Sequence, residues 1–243
     1  ILPPELVYAY PSYLRPCVGI EHMDGRYLHL YAADLARSPD GEFQVIADRT
    51  QAPSGAGYAL ENRIVLSRVM PSLFRDSQVH RLAPFFRTMR NTLSSLATKP
   101  DLDPRIVLLS PGVGNESYFE HAYLANYLGY TLVQGGDLTV RDGRVWLKTL
   151  DSLQQVDVIL RRVDDEYCDP LELREDSYLG VPGLLQVVRQ GNVAIANPLG
   201  SGILQNTALM AFMPQLAQHF FGEDLRLPNV MAWWCGKDDH KRY

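Results

Sequence analysis

The chain has 243 residues, 46% apolar and 21% charged, with a net charge of −5 and a pI near 5.7. That length allows one large domain or two small ones with a sizeable core, and the absence of a basic stripe argues against nucleic acid as a partner. No apolar run reaches the length of a membrane helix, and the scattered Cys17, Cys168 and Cys235 fit reduced thiols better than a disulfide framework or a zinc site, so a cytoplasmic protein without membrane contact is expected.

Residues 1 to 22 are rich in proline and aromatics and read as irregular, and a start at Ile1 without methionine reads as a fragment. Tyr27 to Ala36 alternates enough for a strand, Ser38-Pro39-Asp40-Gly41 is turn chemistry, and Phe43 to Ala47 reads as the return strand of a hairpin. On such a hairpin Asp34 and Asp48 are expected to approach each other. The stretch from Val45 to Arg63, VIADRTQAPSGAGYALENR, runs from that strand through Asp48-Arg49 and a glycine turn into a helix-like segment. Ionisable residues at a strand end beside a glycine loop are placed like an active site, with Ser54, Gly55 and Tyr58 as candidate substrate contacts. A plain strand-turn-helix connection with solvated charges fits the same pattern. From Tyr58 to about Ala97 the pattern is helical, interrupted at Pro71 and Pro84. The polar stretch Thr98 to Pro104 reads as a joint between a portion spanning 1–99 and another spanning 100–230, with 231–243 opening a further element.

Beyond that joint the grammar changes. Arg105 to Ser110 is a continuous apolar run, as in a strand buried on both faces. An amphipathic helix over about Ser117 to Leu128, capped by Gly129, leads to a strand at Thr131–Val133. A hairpin turns at Arg141-Asp142-Gly143, and a buried strand follows at Val156–Leu160. A helix at Leu184–Gln190 and a last strand at Val193–Ala196 complete a βαβ arrangement. The fold class is therefore α/β (mixed α+β), with a mainly parallel, Rossmann-like part.

Three loops leave the C-terminal ends of apolar strands, the edge where open α/β sheets bind ligands. The first, Ser110 to Glu116, offers Asn115 and Glu116 and backbone amides ahead of a helix, or is an ordinary connection. The second carries Arg161, Arg162, Asp164, Asp165 and Glu166, and its paired guanidiniums suit a carboxylate or phosphate. The third, Asn197 to Gly202, resembles a nucleotide-contacting glycine loop through Gly200, Ser201 and Gly202 but lacks a P-loop lysine. His121 reads as a structural histidine and His29 is ambiguous. Ser54 has no identifiable base for a hydrolase, and Trp233-Trp234 reads as packing.

Taken in order, YLHLYAADLARSPDG, APSGAGYALENR, VLLSPG with YFEHAYLA, GGDLTVRDGRV, VDVILRRVDDEYCDPLELR and GNVAIANPLGSG resemble the circularly permuted ATP-grasp proteins of the second type, relatives of glutathionylspermidine synthase. The resemblance implies a portion of such a fold and an ATP-dependent carboxylate–amine ligase that joins small-molecule or peptide substrates through an acyl phosphate. It implies ATP and magnesium as cofactors and the remaining domains of a longer parent chain as partners. Asp34 matches the family's first-strand aspartate and, with Asp48, would be a metal ligand. Arg161 and Arg162 would position an anionic group, and Asp48 and Arg49 sit at the catalytic strand end. The chain departs from the family pattern where Glu-Asp-Asn becomes Ala47-Asp48-Arg49, and where Asp-Asp-Lys becomes Gln205-Asn206-Thr207. The alternative reading is a degenerate, non-catalytic module that binds a peptide or protein partner.

Overall fold

The computed structural model describes residues 2–22, 25–98 and 103–242. The center of the chain is a parallel sheet of four short strands, Ile106–Leu109, Thr131–Val133, Val158–Arg161 and Ala194–Ala196. In chain order along the whole protein these are β3, β4, β8 and β9, and they lie side by side as β4-β3-β8-β9, all parallel. Ahead of them stands a hairpin of β1 (Ala32–Arg37) and β2 (Phe43–Arg49). Between β4 and β8 an antiparallel meander is formed by β5 (Leu138–Arg141), β6 (Arg144–Lys148) and β7 (Leu153–Gln155).

The helices are α1 (Pro4–Tyr8), α2 (Ala56–Val69), α3 (Pro71–Asp76), α4 (Ala83–Ser95), α5 (Tyr118–Leu128), α6 (Leu184–Arg189), α7 (Met213–Phe221) and α8 (Asp238–Lys241). Prolines occupy the first turns of α3 and α4, where the missing N–H is no loss. Gly129, in the left-handed conformation, closes α5.

Alternation along the parallel strands divides the core in two. Ile106, Leu108, Val158 and Leu160 point to one face and meet Leu60 of α2, Phe86, Met89 and Leu93 of α4 and Leu124 of α5. Val107, Leu109 and Ile159 point to the other and meet the meander and α6 through Val145, Leu147, Leu184 and Leu185. Residues on both sides of the Thr98–Pro104 stretch thus share one core, and the expected joint itself falls largely outside the described residues. A satellite cluster joins Leu6 of α1 to Leu209 and Phe212, with Trp234 against Phe212; Trp233 is exposed.

Several boundaries differ from expectation. The first strand begins at Ala32 rather than Tyr27, because Leu30 and His29 are hydrogen-bonded to the Asn197 side chain instead of to a neighboring strand. The return strand runs on through Asp48 and Arg49, since both pair with the facing strand at Ala33 and Ala32. The leading segment, expected to be irregular, contains α1 and a 3₁₀ turn at Arg15–Cys17. Cys17, Cys168 and Cys235 are free thiols, and burial pushes those of Cys17 and Cys168 up to about 12.

Candidate functional site

A polar cleft of about 720 Å³ lies between the β1–β2 hairpin and the C-terminal edge of the parallel sheet. The hairpin side presents Asp34 and Arg49, followed by Gln51, Pro53 and Ser54. The sheet side presents Asn115 and Glu116 from the loop after β3, and Arg162, Asp164 and Tyr167 from the loop after β8. His121 of α5 and Gln205 complete the walls. Of the residues singled out from sequence, Asp34, Arg49, Ser54, Asn115, Glu116, Arg162 and Asp164 come together here.

The consecutive arginines part company at the end of β8. Leu160 faces the α2–α4–α5 side, so Arg161 must face the other and Arg162 returns to the first. Arg161 is 1% exposed. Its Nε donates to the Asn197 carbonyl (2.7 Å), and its terminal nitrogens donate to the carbonyls of Val163 (2.9 Å) and Pro198 (3.3 Å) and to Ser201 Oγ (2.9 Å). It also forms a buried ion pair with Asp165. Burial pushes the Asp165 carboxyl up, against the opposing pull of Arg161 and the Gly202 amide. A guanidinium so fully engaged is a structural staple. The expectation that Arg161 positions a ligand is corrected accordingly.

Arg162 is 6% exposed and lines the cleft. One terminal nitrogen donates to the Pro53 carbonyl, tying the glycine loop to the sheet. Its buried Nε meets no protein acceptor among the described residues. Burial lowers its affinity for the proton, while the nearby Glu120 carboxylate opposes that effect. An unmatched buried donor on a cation is costly unless something meets it.

Glu120 is fully buried, and its carboxylate is already taken. It accepts from the Gly55 amide at 2.8 and 2.9 Å and from the Gly57 amide at 2.8 Å. These two glycines explain the PSGAG sequence. Gly55 has φ +106°, in the left-handed region, and a Cβ on Gly57 would stand 2.8 Å from Glu120 Cγ. The loop is therefore anchored on the protein's own anion at the start of α2, where the helix dipole favors negative charge. Gly55 and its amide do not face a substrate as expected. Tyr58, at 42% exposure, stacks on Phe119 (centroids 5.7 Å apart) rather than lining the cleft.

His121, expected to be structural, is 3% exposed and borders both the core and the cleft. Its Nδ1 lies 2.9 Å from Ser110 Oγ, which also accepts from the Gly112 amide. Burial and the neighboring Arg162 hold the imidazole down at about 4, so it is neutral at pH 7.

The hairpin corrects the expected metal pair. In the register Ala33↔Asp48 and Asp34↔Ala47, Asp34 and Asp48 occupy opposite faces. Asp48 accepts from the Tyr31 hydroxyl at 2.6 Å and lies away from the cleft, whereas Asp34 pairs with Arg49 at 2.5 Å. No group of three potential metal ligands exists among the described residues. The expected pair of Asp34 and Asp48 thus does not converge on a shared magnesium site.

The third glycine loop also points elsewhere. The Gly202 amide donates to Asp165 (2.8 Å), and the Ser201 carbonyl accepts from Thr50 (2.8 Å). Gly200 and Ser201 line a separate apolar hollow with Tyr13 and Cys17. Gly200, Ser201 and Gly202 therefore make an internal clasp and do not present a nucleotide cradle to the cleft.

Sequence reasoning missed Glu120, Gln51, Tyr167 and Gln205. Only Glu120 carried a signal, as a carboxylate placed among apolar residues of an otherwise buried helical face.

Comparison with known proteins bears on the whole chain. The family described as circularly permuted ATP-grasp type 2 matches residues 1–243. The chain is 46% identical over 237 residues to uncharacterized protein Rv2567 of Mycobacterium tuberculosis, covering 97% of this chain and 27% of that one. It is 37% identical to uncharacterized protein sll0335 of Synechocystis, covering 100% and 50%, and 37% identical to uncharacterized protein Rv2411c of M. tuberculosis, covering 99% and 44%. The chain thus spans between about a quarter and a half of the length of these relatives. With a match from end to end and the hairpin, parallel sheet and glycine loops in the order described, the chain belongs to the circularly permuted ATP-grasp type 2 family.

Proposed function

We propose that this chain supplies the acid-binding part of an ATP-dependent carboxylate–amine ligase. The observation that carries the reading is Arg162, a buried cation on the cleft wall whose Nε has no partner. A carboxylate or phosphoryl oxygen in the cleft would satisfy that donor. Arg162 binds and orients the anionic group, Pro53 fixes the guanidinium, and neutral His121 beside it can donate or accept a hydrogen bond without adding charge. At the cleft mouth the exposed carboxylates of Glu116 and Asp164 give a complementary negative rim suited to an approaching amine. ATP, when bound, supplies the activating phosphoryl group. Its ligands and those of magnesium are assigned to the remainder of a longer parent, since the corresponding residues here are engaged internally.

A second reading, a non-catalytic module that binds a peptide, is favored by one feature. Asp34 is neutralized by Arg49 on the face where a metal ligand is expected. Calorimetry separates the two. The ligase reading expects inorganic phosphate to bind this chain and Arg162→Gln to abolish that binding without unfolding, with ATP and magnesium binding only to a longer parent. Phosphate affinity unchanged in a folded Arg162→Gln variant sinks the anion site. Failure of the parent to bind ATP leaves the non-catalytic reading.

A further inference from the structure

Although no basic stripe was expected from sequence, the helices α2 to α4 differ in charge from the rest of the molecule. Together α2, α3 and α4, with the segments joining them, hold six arginines, Arg63, Arg68, Arg75, Arg81, Arg87 and Arg90, against two carboxylates, Glu61 and Asp76, in a chain of net charge −5. Two hollows of about 590 and 310 Å³ lie on this side and adjoin at Ala83 and Tyr127. Their floor is apolar, formed by Leu60, Ile64, Phe74, Val79, Leu82 and Phe86, and no carboxylate lines either one. Neither shares a lining residue with the cleft described above.

Two of the lining arginines are tied down: Arg63 donates to the His80 carbonyl, and Arg90 donates to the Leu128 carbonyl at 2.9 Å. Arg75, Arg81 and Arg87 are exposed, and their side chains make no hydrogen bond or ion pair among the described residues. Around the α2–α3 junction, outside the lining of either hollow, Val69 and Leu73 are 66% and 58% exposed, with Leu66 and Met70 also in solvent. An apolar hollow with cationic side chains at its edge suits a partner that is apolar on one face and negatively charged beside it.

We propose that this groove docks an acidic amphipathic helix of a protein partner. Its apolar face would lie on the Ile64, Phe74 and Leu82 floor, and its carboxylates would meet Arg75, Arg81 and Arg87. The helix-in-groove mode requires a concave apolar floor with polar edges. A flat anionic bilayer would reach the arginine rim but not the floor, so the concavity favors a polypeptide over a membrane.

The test uses the 243-residue chain and fluorescence anisotropy of a labeled synthetic helix of glutamate and leucine, with the leucines on one face. Comparison probes are a scrambled peptide of the same composition, a lysine-for-glutamate version, and vesicles of phosphatidylserine and phosphatidylcholine. The glutamate–leucine helix is expected to bind at least about tenfold tighter than either peptide control, with affinity falling as salt rises. The triple variant Arg75→Glu, Arg81→Glu, Arg87→Glu should lose at least about tenfold in affinity. If that variant fails to fold by circular dichroism, the pair Arg75→Gln and Arg87→Gln takes its place. Absent binding, equal affinity for the scrambled peptide, indifference to the arginine changes, or stronger binding to vesicles would each overturn the proposal. So would self-association of the chain through the same arginines.

Discussion

Arg161 and Arg162 are neighbors in sequence and opposites in environment. Around Arg161 the molecule is closed: Asp165, Asn197, Pro198, Val163 and Ser201 surround a guanidinium that is 1% exposed. Arg162 is also buried, at 6% exposure, but borders the cleft. It has one side-chain hydrogen bond, to Pro53, a neutral imidazole and the Glu120 carboxylate nearby, and one donor without a protein partner among the described residues. Strand alternation alone separates the two. A buried cation whose bonds are complete holds a fold together, whereas one with an unmet donor has bonding capacity to spare, the basis of the role proposed for Arg162.

The largest expected effect is on the closed side. Arg161→Gln strands the Asp165 carboxylate in the core and should cost about 3–5 kcal/mol of stability, read as a lower denaturation midpoint. A change below 1 kcal/mol would mean that the network is not structural and would erase the contrast. Next is Glu120→Ala, which frees the Gly55 and Gly57 amides and should cost about 2–3 kcal/mol. Retention of wild-type stability would show that the loop does not depend on its internal anion.

A third effect is carried by pH. The folded imidazole of His121 is held down at about 4 against its ordinary 6.5, so the unfolded chain binds the additional proton between those values. Stability from this group is full above pH 6.5, falls as pH drops toward 4 and is flat below. The loss should be about 3 kcal/mol. His121→Asn should remove that slope, and an unchanged slope would assign it to other groups. The smallest stability effect is expected at Arg162. Arg162→Gln should change the midpoint by less than about 1 kcal/mol while abolishing phosphate binding, the reverse of the Arg161 result. A large destabilization there would place both arginines on the structural side.

The parallel sheet was legible because burial on two faces makes its strands largely apolar runs, and because the left-handed turn that ends α5 takes a glycine, Gly129. The hairpin was legible, but its start was not. Leu30 and His29 look like strand residues and are held by a side chain 167 and 168 positions away, which no local pattern carries. The cleft was half legible. Charges at strand ends pointed to Arg162, Asp34 and Arg49. The roles of Glu120 and Asp165 depend on which amides the fold brings to them, and the separation of Asp34 from Asp48 depends on register. A glycine loop in sequence looks the same whether its amides face a ligand or an internal carboxylate.

The Asn197 side chain accepts from the amides of His29 and Leu30, both at 2.9 Å, and donates to the carbonyls of Leu30 (2.7 Å) and Thr50 (2.6 Å). One amide group thereby stitches the run into β1, the chain just past β2 and the end of β9 into a single cooperative unit. The Leu30 amide proton, in a segment with no regular structure of its own, should then exchange with solvent as slowly as those of the central strands. Asn197→Ala would let it exchange by local opening while β3 and β8 stay protected.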